Sequence, residues 1–212
     1  MKRGKYTILV FVITVSIIVF LLLNLLLGSV SIPFGSVWNI LTGGEEDPVA
    51  WQNIILKSRL PQALTALVAG AGLSISGLQM QTIFRNPLAG PSVLGISSGA
   101  SLGVAFVVLL SGQLGGVALS RLGFIGEVAL SVAAIVGALS VMGLIVLASR
   151  KVAGSVTLLI IGVMIGYIAN AVIGVLKFFS VEEDIKAYVI WGLGSFARVS
   201  GNQMMLFVTI MA

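Results

Sequence analysis

The chain has 212 residues, of which 58% are hydrophobic and only 9% are charged, and its mean hydropathy is +1.15. In soluble domains about a quarter of all residues are charged. This composition therefore excludes a soluble monomer and favours a protein embedded in a bilayer. The chain contains neither Cys nor His, which excludes disulfide frameworks, thiolate metal sites and the common imidazole base.

Apolar runs predict an all-α fold, a polytopic transmembrane helix bundle with about five spans and the start of a sixth. A spanning helix needs about 20 residues. The first run is also longer than the apolar core of a signal peptide, which has about 7–15 residues. The last run is cut short by the chain end, so we expect 1–212 to be a single, truncated transmembrane domain. The predicted spans are 6–27, 61–84, 93–110, 124–148 and 156–178, and the sixth begins at 204–212.

Two segments between the spans are long enough to hold short helices. Residues 28–60 include Ser36–Leu41 and Val49–Leu56, each of which could form an amphipathic helix at the interface or pack as a loop. Pro61 suits the first turn of the second span. Residues 179–203 include Ala187–Phe196, whose Tyr188 and Trp191 we interpret as anchors in the headgroup layer rather than as a ligand site.

Charge between the spans predicts the orientation. With the N-terminus inside, the inside segments 1–5, 85–92 and 149–155 contain six basic residues and no acidic one. The remaining six basic residues and all seven acidic ones lie outside or at span ends, but the inside segments are much shorter. The higher density of Lys and Arg predicts a cytoplasmic N-terminus. Because these charges are scattered between apolar segments, we read the net charge of +5 as topology and predict a lipid membrane, not nucleic acid, as the partner.

Small residues recur at four-residue spacing in three spans. Such stripes let helix backbones approach closely in lipid. For Ala66–Gly70–Ser74 in the second span and Gly95–Gly99–Gly103 in the third, we predict helix packing. The fifth span differs because its stripe contains Asn170. A buried amide at membrane depth needs a hydrogen-bonding partner or a water-filled cavity. This stripe lines either a packing contact or a translocation pathway, and its members are Gly162, Gly166, Asn170 and Gly174.

The spans carry no ionisable side chain at mid-membrane depth, since Glu127 and Lys177 fall near span ends. Carriers driven by protons or ions usually keep such residues inside the bundle. The pattern favours a passive pathway that is opened by energy supplied elsewhere. We predict no catalytic residue, metal site or cofactor, and therefore a protein that is not itself an enzyme.

Four ordered motifs, covering most of residues 55–203, resemble the FecCD family of ABC importer permeases. The first is Arg59-Leu60-Pro61, the second is Asn86-Pro87-Leu88-Ala89, the third is the Gly- and Ser-rich segment Leu94–Ser101, and the fourth is Trp191-Gly192-Leu193-Gly194-Ser195. The motif residues that we assign to structure are Pro61, Asn86, Pro87, Pro91, Gly95, Ser97, Ser98 and Gly99.

The resemblance implies a permease of the cell inner membrane for iron-siderophore, haem or vitamin B12 uptake. It implies a homodimer in the full-length form, a cytoplasmic ATPase subunit and an extracytoplasmic solute-binding protein. On this basis we expect Gly162, Gly166 and Asn170 to line the pathway, and Arg59 and Lys57 to contact acidic residues of the binding protein. The alternatives are a membrane assembly or structural subunit without a transport path, and an ion-coupled secondary carrier.

The sequence departs from the family pattern in two ways. Some relatives carry a second arginine just after the proline, where this chain has Gln62, so a docking contact there is weakened or moved. Members have about ten spans, whereas this chain stops near the start of the sixth. The resemblance therefore implies a missing half, and we expect that half to include the loop that grips the ATPase.

Overall fold

The computed structural model describes residues 2–44, 48–111, 124–152 and 154–196, and positions 199, 201, 204, 205, 208 and 209 near the C-terminal end. All regular structure in these residues is helical. The helices are α1 (Lys2–Leu26), α2 (Phe34–Leu41), α3 (Val49–Ile54), a π-helical turn (Ile55–Arg59), α4 (Leu60–Phe84), α5 (Ile96–Ser111), α6 (Phe124–Ser149), α7 (Ser155–Phe179) and α8 (Glu182–Gly192).

The predicted all-α membrane fold is confirmed. In the part of the chain that the structure describes, four helices are long and apolar enough to cross a bilayer, namely Gly4–Leu26, Val49–Phe84, Ile125–Ser149 and Ser155–Phe179, and the apolar part of α5, Ile96–Leu110, is shorter. These five helices occupy the five predicted spans. The sixth run, 204–212, lies mostly outside the described residues.

The chain divides into two compact units, and the boundary falls within α4 between Gly72 and Leu73. The first unit extends to Gly72 and also takes in the residues from Phe196 onward, whereas the second comprises Leu73–Ser195. A single domain over 1–212 stays a prediction. Each unit has its own core, so each is described by itself.

The core of the first unit forms where the C-terminal end of α1 meets α2 and the π turn. Leu25, Ile32, Val37, Ile40 and Ile55 are buried together there. Leu25 is the only buried residue of α1 among those whose side chains are described, and the helix is otherwise largely exposed. The fold therefore holds α1 by its C-terminal end.

The second span begins earlier than the sequence predicted. Val49–Leu56 is helical as expected, but it continues through the π turn into α4 without a break. Pro61 consequently lies inside a long helix rather than in its first turn. The Leu60 N–H bonds the carbonyl of Ile55, five residues back, and this wider register immediately precedes the proline, which has no N–H to donate.

The second unit packs α5 against α6, α7 and α8 around two buried clusters. One cluster contains Val104, Leu109, Ile173 and Tyr188, and the other contains Phe84, Leu94, Val141 and Ile145. The first of these corrects our interpretation of Tyr188 as a headgroup anchor, because its side chain is only 8% exposed. Helix α8 turns its apolar face toward α5, and Trp191 packs against the same cluster.

Candidate translocation and docking residues

The glycines predicted to line a pathway are buried in a helix contact within the second unit. A Cβ on Gly162 would lie 2.9 Å from Leu94 Cα, and one on Gly166 would lie 3.3 Å from Gly95 Cα. The chain between α4 and α5 therefore approaches α7 so closely that a side chain at Gly162 would force the backbone to shift, and one at Gly166 would be tightly packed. Of the two readings left open for this stripe, the structure shows packing for these two residues, and their role in a pathway stays a prediction.

Asn170 continues the same stripe one turn further along α7, and it is exposed. Its Nδ2 donates to Ser98 Oγ over 3.5 Å, the upper limit of a hydrogen bond. A Cβ placed on Gly166 would lie 3.4 Å from the same Ser98 hydroxyl oxygen. The absence of a side chain at Gly166 therefore lets Ser98 lie close to α7, beside Asn170. The polar part of the predicted pathway face is thus this pair.

The motif between α4 and α5 forms a tight turn with a specific role for Asn86. Its Oδ1 accepts the Leu88 N–H at 2.9 Å, and its carbonyl accepts the Ala89 N–H at 3.1 Å. Pro87 presets the backbone angle of the same turn. Pro91 begins a second turn, which ends at Gly95 with a φ of +72°. This backbone explains why α5 begins at Ile96 and not at the predicted Val93.

Gly95 ends this turn at a position where only glycine fits. In addition to the positive φ, a Cβ there would lie 2.7 Å from the carbonyl oxygen of Gly162 and 2.9 Å from the nitrogen of Gly166. Two residues later, Ser97 is exposed, whereas Ser98 faces α7. The Asn-Pro-Leu-Ala turn and the small-residue segment therefore cooperate to seat the start of α5 on α7.

The packing predicted for the third span is confirmed at the crossing of α5 and α6. A Cβ on Gly99 would lie 2.5 Å from Val141 Cγ2 and 2.7 Å from the Gly137 carbonyl oxygen. Gly103 faces Ala133 and Gly137 in the same way. Among the described residues, the packing predicted for the second span is not seen, since Ala66, Gly70 and Ser74 are all exposed.

A groove of about 680 Å³ runs between α5, α6 and α7 in the second unit. Ser140 is the one polar side chain among its described lining residues, and its hydroxyl bonds the carbonyl of Val136 on its own helix at 2.8 Å. The groove therefore offers few hydrogen-bonding groups to a polar solute, in contrast to the neighbouring pair of Ser98 and Asn170.

The two predicted docking residues have different environments in the first unit. Lys57 is exposed, whereas Arg59 is 7% exposed. Nη1 of Arg59 donates to the carbonyls of Leu25 at 2.6 Å and Leu26 at 3.1 Å, and Nη2 donates to that of Val30. A partner carboxylate would have to displace these carbonyls, so docking through Arg59 stays a prediction and is no longer the simpler choice.

A polar cluster that sequence reasoning missed attaches α8 within the second unit. The Lys177 Nζ lies 4.8 Å from the ring centre of Tyr188. Burial raises the pKa of the Tyr188 phenol, while a hydrogen bond with Ser101 lowers it. Neither contact has a local sequence signal, because the three residues lie on different helices.

The sequence matches the FecCD transport family over residues 16–212. It is 31% identical to the molybdate import permease MolB of Haemophilus influenzae over 98% of this chain and 59% of that one. It is 40% identical to a probable iron chelatin permease of Helicobacter pylori over 69% of this chain and 41% of that one. The vitamin B12 import permease BtuC of Klebsiella pneumoniae is 33% identical over 95% of this chain and 55% of its own length.

Among solved structures, a protein assigned to the metal-chelate type of ABC transporter, in an inward-facing conformation, has the same fold. The TM-score is 0.76 at 27% identity, and the match covers 97% of this chain and 59% of that one. The chain thus spans about half the length of the curated relatives it matches.

Proposed function

We propose that this chain, which belongs to the FecCD transport family, forms part of the membrane-spanning permease of a binding-protein-dependent ABC importer. The proposed solute is a metal chelate of the iron-siderophore, haem or cobalamin type. Relatives named for iron chelatin, hemin and vitamin B12 transport support this class, while MolB extends the family to molybdate. The permease would offer alternating access, and a separate ATPase would drive it.

The scarcity of charge in the described spans is the observation that carries this proposal beyond family membership. In the long helix Val49–Phe84 the charged side chains are Lys57 and Arg59, and both lie in the π turn before α4. Helices α4 and α5 contain no Asp, Glu, Lys or Arg, while α6 and α7 carry only Glu127 in a first turn and Lys177 in a last turn. Ion-coupled carriers usually keep titratable groups at membrane depth. External energy from ATP hydrolysis fits this interior better.

Reconstitution of the full-length permease tests the energy source. We expect chelate uptake into proteoliposomes that requires the binding protein and stops when the ATPase carries an inactivating substitution. Collapse of ion gradients with an ionophore should leave uptake unchanged. Uptake that follows the ion gradient and ignores ATP would establish the carrier alternative, and no uptake together with stable assembly would establish the structural alternative.

We further propose that the face of α7 that carries Gly162, Gly166 and Asn170 borders the pathway at its Asn170 end, where Asn170 contacts water, while the two glycines seat that face on the start of α5. The exposure of Asn170 and its contact with Ser98 support this assignment. Because residues 1–212 contain no Cys, Asn170→Cys can be labelled selectively in a full-length permease in which any Cys outside these residues is replaced by Ser. We expect its reaction with a small aqueous thiol reagent to change when ATP binds.

Gly166→Cys is the matched control for that labelling experiment, since position 166 is covered by Gly95 and Ser98. It should react slowly in every nucleotide state. If both positions are inert throughout, the stripe serves packing alone and the pathway must follow another helix.

We also propose an inner-membrane orientation with the N-terminus, Arg85 and Arg150 in the cytoplasm and Glu183 outside, as the distribution of Lys and Arg indicates. Glu46, predicted outside, lies beyond the described residues. In intact cells, an impermeant thiol reagent should label Glu183→Cys and should not label Arg150→Cys. Labelling of position 150 from outside would reverse the topology.

Of the two predicted docking residues, Lys57 is the one whose side chain is exposed, and we propose that it contacts an acidic binding protein on the proposed outer side. Lys57→Glu should weaken association and uptake, because an attraction becomes a repulsion. An acid-to-Arg change on the docking face of the binding protein should restore both. Absence of rescue at every acidic position of that face would remove Lys57 from the docking surface.

A further inference from the structure

We propose that Arg59 and Gly28 form a pin that fixes the C-terminal end of α1 to the π turn. The proposal concerns the first unit alone and does not rest on the transport function. Arg59 would then be a positioning residue whose guanidinium binds backbone carbonyls inside the first unit.

The carbonyls that Arg59 binds are those that a helix cannot satisfy itself. The last four C=O groups of a helix have no intrahelical donor, and α1 ends at Leu26. Arg59 supplies donors to Leu25 and Leu26, and also to Val30 beyond the helix. A cation at this end of a helix also opposes the partial negative charge of the helix dipole. One side chain thus closes the helix and fixes the direction of the chain that leaves it.

The guanidinium is the side chain best suited to this role. It is planar and carries five N–H donors in a fixed fork, so it can bind several carbonyls at once. The ammonium of lysine acts as a point charge on a flexible stem. Among the described residues no carboxylate forms an ion pair with Arg59, and its guanidinium donates hydrogen bonds to backbone carbonyls.

Gly28 provides the space that the guanidinium occupies. A Cβ on this residue would lie 2.7 Å from Arg59 Nη2, 3.1 Å from Cζ and 3.3 Å from Nε. The φ of Gly28 is not in the left-handed region, so backbone conformation does not explain the glycine. The contact with Arg59 does.

The π turn places Arg59 for this contact. An i→i+5 turn shifts the register of the helix by one residue, and such turns are frequent at functional positions. Ile55, the first residue of the π turn, is fully buried beside Leu25, while Arg59, its last residue, reaches the carbonyl of Leu25. Since Leu25 is the one buried side chain described in α1, few other contacts hold that helix.

Distance measurements between α1 and the π turn test the pin. Spin labels at Phe20→Cys and Leu56→Cys replace side chains that are 70% and 39% exposed in the same unit, and the chain has no other Cys. In the parent, reconstituted in lipid, we expect a narrow distance distribution. Arg59→Gln and Gly28→Ala should each broaden and shift it. Lys57→Gln, on the same turn but exposed, should not.

A double variant makes the test specific to the contact. A lysine at position 59 has no Nη2 to collide with a methyl group at position 28, so Gly28→Ala should broaden the distribution much less in the Arg59→Lys background than in the parent. Such non-additivity is the expected signature of two residues in contact. Equal broadening in both backgrounds, or a narrow distribution with Arg59→Gln, would overturn the proposal. If Arg59→Gln fails to fold, the proposal is still tested by comparing the distance distribution of Arg59→Lys with that of the Arg59→Lys, Gly28→Ala double variant.

Discussion

Two stripes of small residues with the same spacing have opposite surroundings. On α5, Gly99 and Gly103 bring the backbone against α6, so that a Cβ at either position would collide with atoms of that helix. On α4, Ala66, Gly70 and Ser74 are exposed, and a Cβ on Gly70 would meet no described atom beyond its own helix within 4 Å. A small-xxx-small pattern therefore indicates that a helix can pack closely against another helix, but it does not identify that second helix.

The largest expected effect comes from filling the α5 stripe. Gly99→Leu forces a side chain against Val141 Cγ2 and the Gly137 carbonyl, and overpacking a well-packed contact costs about 1–3 kcal/mol, occasionally more. We expect low yield and a clear fall in the unfolding temperature in detergent. Gly70→Leu on α4 is the matched control and should behave like the parent. If the two variants unfold at the same temperature, α5 does not pack on α6 as described.

A smaller effect is expected where α7 meets the start of α5. In Gly162→Ala the new Cβ lies 2.9 Å from Leu94 Cα, a backbone atom that can move only with its chain. The collision opposes the helix-propensity gain of about 1 kcal/mol that alanine brings over glycine. We expect a net loss of about 1 kcal/mol in the free energy of unfolding, because strain of this kind costs about 1–3 kcal/mol.

Gly174→Ala, on the same helix, is the control for that substitution. A Cβ there meets open space, so the propensity gain should appear alone as a stabilisation of about 0.5–1 kcal/mol. Urea or thermal unfolding in detergent would compare the two. A stabilised Gly162→Ala would mean that the approach of Leu94 to α7 is looser than described.

The sequence predicted the elements better than their contacts. The runs of apolar residues placed α1, α6 and α7 within a few residues of their ends, since length and hydropathy depend on the local sequence alone. The packing of Gly99 and Gly103 was also predicted from spacing. The end of α1, by contrast, depends on Arg59, which is more than 30 residues away along the chain.

The site was less predictable because its determinants are distant along the chain. In the sequence Arg59 looks like an ordinary charged surface residue, and only the fold shows that its guanidinium binds backbone carbonyls. Tyr188 has the amphipathic character of a headgroup anchor, but the apolar face of α8 carries it into the core. The pairing of Ser98 with Asn170 joins residues that are 72 positions apart, which no local periodicity reveals.

The smallest expected effect concerns a left-handed position that carries no glycine. Arg85 has a φ of +48° at the end of α4, where its N–H bonds the Thr82 carbonyl and that of Asn86 bonds the Gln81 carbonyl. This is the Schellman pattern, in which glycine is the usual residue. The left-handed conformation costs an ordinary residue about 1–2 kcal/mol, and the greater freedom of glycine in the unfolded chain returns about 0.5–1 kcal/mol of that difference.

Arg85→Gly should therefore stabilise the chain by about 0.5 kcal/mol, the difference between these two terms. Arg85→Ala is the control, since it removes the same charge and keeps the strain, and it should be no more stable than the parent. Denaturant unfolding in detergent resolves the order of the three. If Arg85→Ala matches Arg85→Gly, the gain comes from the charge and not from the backbone. The left-handed turn would then cost Arg85 little, unlike Gly95 at the other end of the same connection, where the backbone of α7 leaves no room for a Cβ.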